Sequence, residues 1–400
     1  MTIVEHVARH FPRMARLREH LHQNPEIGFD LDKTKTLIQA ELEDMGIEVR
    51  AGYAGTGLVG ILHGQEPGKT VLLRADMDAL PIQEETGLPY ASQHPGMMHA
   101  CGHDGHMAAL LGAARVLSER RDFKGSVLFV FQPAEECAES GAKRMLADGV
   151  LDILPVDAAF SGHLWGVLPA GEIHIKPGVT MPARDEFTIE LRGKGGHGAM
   201  PHLAVDPVVM AAQCILALQT LVSRNVDAYD SAVLSICQVS TPPGATNIIP
   251  DTVSLGGTLR ACSPEVRALL LERMRAVLDG ICAAAGGSYT YMNLGDLPAL
   301  VNDPALAECA LRAARAAAGS GKAILRDRPM SASEDFACFS QAVPSCYVFV
   351  GIKEGGENVL HHNSRFQWKH ECMLPLAAFF AAAALDYLGQ PSLIASAQGV

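Results

Sequence analysis

Positive charge is what this sequence is short of: 32 Lys and Arg stand against 44 Asp and Glu, for a formal net charge of −12. With no basic stretch to neutralise phosphates, nucleic acid is excluded as a natural partner. Nor is there an uninterrupted apolar core near the start, as a secretory signal requires. Ile3, Val7, Phe11, Met14, Leu17 and Leu21 recur instead at helical spacing with Arg and Glu between them, which predicts an amphipathic surface helix. The longest apolar run, Met373 to Leu385, covers 13 residues and holds Pro375, too short to cross a bilayer. The ten cysteines are scattered over 400 residues and form no dense disulfide framework, so free thiols in a reducing cytoplasm are expected. The glycine-rich segment Arg192 to His202 lacks the closing Gly-Lys-Ser/Thr of a nucleotide loop, and no internal repeat is visible.

What is present is ample core material, 48% hydrophobic against 19% charged residues, enough for two domains of ordinary size. One stretch concentrates chemistry: Met98-His99-Ala100-Cys101-Gly102-His103-Asp104-Gly105-His106, ahead of an apolar helical pattern from Met107 to Leu117. In extended backbone alternate side chains share a face, so His99, Cys101 and His103 are expected to point into one cavity. Imidazole with thiolate suits zinc, manganese, nickel or cobalt. A polar loop around a buried cysteine is the simpler explanation of this stretch, so acids and further histidines elsewhere decide the matter. They follow at strand ends. The strand Thr70 to Ala75 runs into Asp76 and Asp78, Ser126 to Phe131 into Glu135 and Glu136, and Asp157 to Ser161 into His163. Strands that alternate with helices and end in function describe an α/β sheet with its chemistry along one edge. Adjacent carboxylates can divide two jobs, one binding metal while the other takes a proton from water.

From about residue 184 the texture changes to strand, helix, strand, strand, helix, strand, the order of a ferredoxin-like unit. This predicts an insert over 184–294 between two parts of a first domain, 1–183 and 295–400. In the last part Val359-Leu360-His361-His362-Asn363-Ser364-Arg365-Phe366 adds two more histidines.

Taken together these stretches resemble the M20 metallopeptidase family, in its amidohydrolase branch of hippurate hydrolases, N-acyl-amino-acid deacylases and auxin-conjugate hydrolases. The resemblance runs almost the whole length. It rests on Arg74 to Pro81, His99 to His106, Gln132 to Glu136, Gly195 to His202, Asn247 to Asp251, Gly257 to Arg260 and Ser333 to Phe336. It implies an α/β, mixed-sheet metallopeptidase catalytic domain with an inserted ferredoxin-like lid and dimerisation domain. It also implies two divalent transition-metal ions (Mn, Zn, Ni or Co) on Cys101, His103, Glu136, His163 and a C-terminal histidine. Glu135 takes the general-base role, His197 stabilises an oxyanion, and Asn247 and Arg260 contact the carboxylate of an N-acyl amino acid. A homodimer is expected. Two positions depart from the family pattern. The usual His-x-Pro-x-Phe setting has lost its proline, and the four-residue offset to Phe366 selects His362 over His361. Ser161-Gly162 replaces a common Gly-Leu, a change expected to loosen packing.

The implied mechanism is physically sound. Metal coordination lowers the pKa of bound water toward ~7, Glu135 moves its proton to the leaving amine, and Arg260 holds a carboxylate by a bidentate pair. Asp78 or Asp104 is expected to orient a ligand histidine. A cysteine hydrolase built on Cys101 leaves Glu135, Glu136, His163 and His362 idle. A non-catalytic metal-binding or carrier protein on the same scaffold leaves Glu135 without a purpose.

Overall fold

The computed structural model describes residues 1–356 and 360–390; Val359 of the histidine motif lies outside them. The chain forms two compact units. One comprises Met1–Thr180, Val301–Pro329 and the chain from Asp335 onward; the other comprises Met181–Leu300 with Met330–Glu334. The second unit thus begins three residues before the expected insert and ends six after it, and also takes a short later segment.

The first unit is built on an eight-stranded sheet. Across it the order is Glu48–Tyr53, Gly57–His63, Lys124–Gln132, Glu66–Asp76, Ala158–Pro169, Ser345–Lys353, Ile173–Ile175 and Ala323–Leu325. The four strands from Lys124–Gln132 to Ser345–Lys353 run parallel. They read as near-continuous apolar runs because both faces are covered: Val127 to Phe131 and Cys346 to Val350 are all fully buried. The helices Ile3–Gln23, His103–Ser118, Pro304–Ala318 and Met373–Tyr387 share this core. The last is apolar all round and buried along Leu376 to Leu385, where its alanines let neighbouring helices approach closely.

Register decides where the chemistry comes out. Asp76 pairs with Gln132, Arg74 with Ser161, and Ser161 with Tyr347. The chain segments following Asp76 and Gln132 therefore leave the sheet on the same edge, the one toward which Ala158–Pro169 also runs. That last strand is longer than the sequence suggested: it continues past Ser161 to Pro169, so His163 sits inside a strand rather than at its end.

The second unit is a four-stranded antiparallel sheet in the order Ala232–Ser240, Thr252–Ala261, Ala183–Arg192 and Ser288–Leu297. Its helices, Pro207–Asn225 and Pro264–Ala285, each start with proline at the first position behind a capping side chain, Asp206 accepting from Val208 N–H at 2.8 Å and Ser263 from Val266 N–H at 3.1 Å. Phe187, Ile189, Leu191, Leu255 and Leu259 pack with Met210, Leu218, Leu270 and Leu278 as a separate core. This is the ferredoxin-like arrangement that the order of elements indicated.

Candidate metal centre

Gly102 adopts φ +93°, a left-handed conformation open to glycine. The chain turns there, and the helix starts at His103 instead of Met107. The single extended face expected for His99, Cys101 and His103 therefore does not form. Cys101 and His103 enter one cluster, whereas His99 is buried beside His22, ring centroids 6.4 Å apart.

Hydrogen bonds fix which ring nitrogens are left for a metal. His103 donates from Nδ1 to the Asp78 carbonyl at 2.8 Å, and its buried Nε2 has no hydrogen-bond partner among the described residues. His163 donates from Nδ1 to the Leu164 carbonyl at 2.7 Å, leaving Nε2 3.3 Å from Cys101 Sγ. His106 is fully engaged: Nε2 accepts Leu164 N–H at 3.0 Å while Nδ1 donates to Asp76 at 2.6 Å.

The two glutamates are held through their backbone. Asp78 accepts Glu135 N–H on one carboxylate oxygen and Glu136 N–H on the other, each at 3.0 Å. Asp78 thus orients the acids with its side chain and His103 with its carbonyl. Asp104 does neither; it faces Arg18 and His22 at 3.2 and 2.8 Å. Glu136 Oε1 lies 3.0 Å from His362 Nε2. Ala134 and His362 both hold positive φ, +54° and +59°, a strain of about 1–3 kcal/mol each for non-glycine residues that gathers at functional sites. Of the adjacent histidines His362 joins the cluster, while His361 Nε2 accepts Gly166 N–H at 3.0 Å and its ring packs on Phe366.

Two of the donor triads share a cysteine: Cys101, His103 and His163, and Cys101, Glu136 and His362. Within each the donor atoms lie within 4.8 Å of one another, and Cys101 belongs to both. A third group joins His103 with Glu135 and Glu136. Burial, then Glu136 and Glu135, push the Cys101 thiol well above its ordinary range. That is the reverse of an activated cysteine nucleophile and the setting in which a bound cation would favour thiolate. Burial opposes charge on His103, yet Asp76 and Asp78 outweigh it and raise its pKa to about 10; burial holds His163 well below the usual imidazole value. A cation that displaced the protons of Cys101 and His103 would meet thiolate, imidazole and carboxylate donors, a set that fits divalent transition metals.

Beneath the cluster lies an ion network that the motifs contained but did not explain. Buried Arg74 bonds Asp76 at 2.7 Å, Gln132 at 2.9 Å and Asp335 at 2.9 Å. Asp335 also accepts from the Ser140 hydroxyl at 2.7 Å and Ala142 N–H at 3.0 Å. The expected loosening at Ser161-Gly162 does not occur: a Cβ on Gly162 would meet Leu376 and Val348 at 2.9 Å.

In the second unit His197 and Ile248 pair in a two-residue ladder, and Gly198 N–H bonds the Asn247 carbonyl at 2.7 Å. His197 and Asn247 are therefore neighbours, both exposed. His197 Nδ1 accepts Ala199 N–H at 3.1 Å, so Nε2 carries the proton and is a donor. Arg260 is half-buried on the sheet.

A mixed sheet whose strands and connecting loops bring two donor triads together around a shared cysteine has the makings of a metal centre. The chain belongs to the peptidase family M20/M25/M40, whose family model matches residues 72–386. It is 38% identical to N-acetylcysteine deacetylase of Bacillus subtilis, over 94% of this chain and 97% of that one. It is 37% identical to hippurate hydrolase of Campylobacter jejuni, over 93% and 96%. Among solved structures it resembles the YXEP protein of Bacillus subtilis, described as a dinuclear metal-binding peptidase of the M20 family. There the TM-score is 0.82 and the identity 35%, over 96% of this chain and 99% of that one.

Proposed function

We propose that the protein hydrolyses the amide bond of N-acyl or N-aroyl amino acids, releasing a carboxylic acid and a free amino acid. The observation that carries this is the pair of donor triads sharing Cys101, with Glu135 anchored beside them by Asp78. Cys101, His103 and His163 would hold one divalent ion; Cys101, Glu136 and His362 would hold the other. Bound there, two such ions would lower the pKa of a water toward ~7 and polarise the scissile carbonyl. Glu135 takes the attacking water's proton and returns it to the leaving amine. His197, as an Nε2–H donor, meets the developing oxyanion, and Asn247 and Arg260 receive the substrate carboxylate. The thiolate argues against magnesium and calcium, leaving manganese, zinc, nickel or cobalt.

The inserted unit serves as lid and dimerisation surface. Met200 and Ile248 beside His197 are exposed, as are Leu203 and, on the helix Pro207–Asn225, Val208, Val209 and Leu216, which supports the dimerisation reading. That helix is long and apolar enough to cross a membrane by composition, yet it buries Met210, Cys214, Leu218 and Leu221 in its own core. All ten cysteines are free.

The test is a hydrolysis screen of N-acetyl, N-benzoyl and N-indoleacetyl amino acids on apo-protein refilled with each metal. Glu135→Gln should keep both metals and lose about 10²–10⁴-fold in turnover, whereas Glu136→Gln should lose metal. Metal analysis giving the opposite result would reverse the roles of the two acids. Cys101→Asp should retain metal and measurable turnover, whereas Cys101→Ala should lose metal; both variants dead with unchanged metal content would make Cys101 the nucleophile.

A further inference from the structure

Arg260 has a neighbour to which nothing above gives a role. Arg184 lies directly opposite it on the adjacent antiparallel strand. Along Ala183–Arg192 the odd-numbered residues are buried, while Arg184, Glu186, Thr188 and Glu190 lie on the other face; on the paired strand Thr258 and Arg260 alternate the same way with buried Leu259. The two guanidinium groups therefore rise from one half-buried face of the sheet, on Cβ atoms roughly 4.5–5.5 Å apart, a placement that destabilises a sheet when the charges are alike.

The surroundings do not cancel this charge. Glu186 reaches Arg184 Nη1 only at 4.0 Å. Asp185 points to the opposite face, where Arg267 forks onto it at 2.7 and 2.6 Å. Arg260 Nη1 is turned onto the Thr258 hydroxyl and the Leu259 carbonyl, and Arg184 Nε is buried with no hydrogen-bond partner among the described residues. Burial, then Arg184, lowers the pKa of Arg260. Two cations against one nearby carboxylate leave room for one more negative charge. A planar carboxylate suits two guanidinium forks better than any neutral group does.

We propose that Arg184 and Arg260 form a two-arginine clamp for a single substrate carboxylate, with Arg184 as a specificity-determining residue that favours substrates with a free carboxylate. The proposal rests on the hydrolytic reading above for the identity of the substrate, and on the sheet geometry for the clamp itself.

The experiment compares N-benzoylglycine with N-benzoylglycinamide on the metal-loaded full chain, in wild type, Arg184→Gln and Arg184→Lys. Arg184→Gln should raise KM for N-benzoylglycine about ten- to a hundredfold, the worth of a charge-assisted hydrogen bond. It should leave kcat nearly unchanged and leave the amide unaffected. Arg184→Lys, which keeps the charge but not the fork, should fall between. An equal effect on both compounds, or none on either, overturns the clamp. Should wild type hydrolyse neither compound, the substrate reading fails separately; calorimetry of N-benzoylglycine binding then decides. A tenfold or greater loss of affinity in Arg184→Gln supports the clamp, and equal affinity or no binding to wild type overturns it. Circular dichroism of both variants confirms that the substitutions leave the fold intact.

Discussion

The two units carry their candidate site residues in opposite ways. In the first, Cys101, His103 and His163 are buried, and the remaining polar groups around them are held by Asp78, Leu164, Asp76 and Arg74. In the second, His197 stands exposed on a two-residue ladder and Asn247 just ahead of its other strand, with backbone groups bonding both. Burial with saturated partners suits groups that must keep a metal geometry. Exposure suits groups that act only when another surface arrives. The contrast fits the proposal that one unit holds the reaction centre and the other answers to what is bound.

The largest effect that tests this division is complementation. Glu135→Ala and His197→Ala should each be nearly inactive alone. If the partner subunit supplies His197, random pairing of co-expressed variants makes about half the dimers mixed, each with one intact site, and restores about a quarter of wild-type activity. Confirmed mixed dimers with no recovered activity would place His197 in its own chain.

The next effect contrasts how the units are held together. Asp335→Ala removes a buried carboxylate from four donors, Arg74 among them, and leaves Arg74 with Asp76 as its acidic partner, which should destabilise the first unit by about 3–5 kcal/mol. Asp185→Ala in the second unit removes the fork from Arg267, which is partly exposed and can hydrate. That loss should be nearer 1.5–3 kcal/mol. Peptide-resolved hydrogen exchange reads each unit separately, as a two-unit chain requires; equal losses would erase the contrast.

The sequence made much of this legible and left a definable part out. Strand-end acids and the Cys/His stretch mark the donor set because those residue types are rare in apolar runs. The second unit declares itself through alternating strands and capped helices. The turn at Gly102 escaped because extended and left-handed glycine look alike in sequence, so His99 seemed equivalent to Cys101. His163 seemed to end a strand because Gly162 interrupts the apolar pattern, although the glycine is there to fit Leu376 and Val348. Asp335 stood in a recognised motif with no role, since its partner Arg74 lies 261 residues away. Arg18, His22 and Asp104 escaped for the same reason: a helix at the start of the chain meets the first turn of the helix that presents His103.

That last network yields the effect that separates the units by pH. His22 is buried, with Nδ1 2.8 Å from Asp104 and Nε2 3.3 Å from Glu84. Burial alone would lower its pKa, but the hydrogen bonds to Asp104 and Glu84 outweigh it and raise the value from 6.5 to about 9. A group whose pKa is higher folded than unfolded stabilises fully below the unfolded value and loses that contribution as pH rises through the folded one. The window therefore runs from about 6.5 to about 9, and the stabilisation at its lower end is about 3 kcal/mol. Across it, intrinsic-rate-corrected exchange should show the helix Ile3–Gln23 losing protection while Pro264–Ala285 in the second unit does not follow. His22→Gln should flatten the first response while leaving metal content near wild type, since His22 belongs to neither donor triad. A pH slope that survives in His22→Gln would assign the titration to another group and remove this distinction between the units.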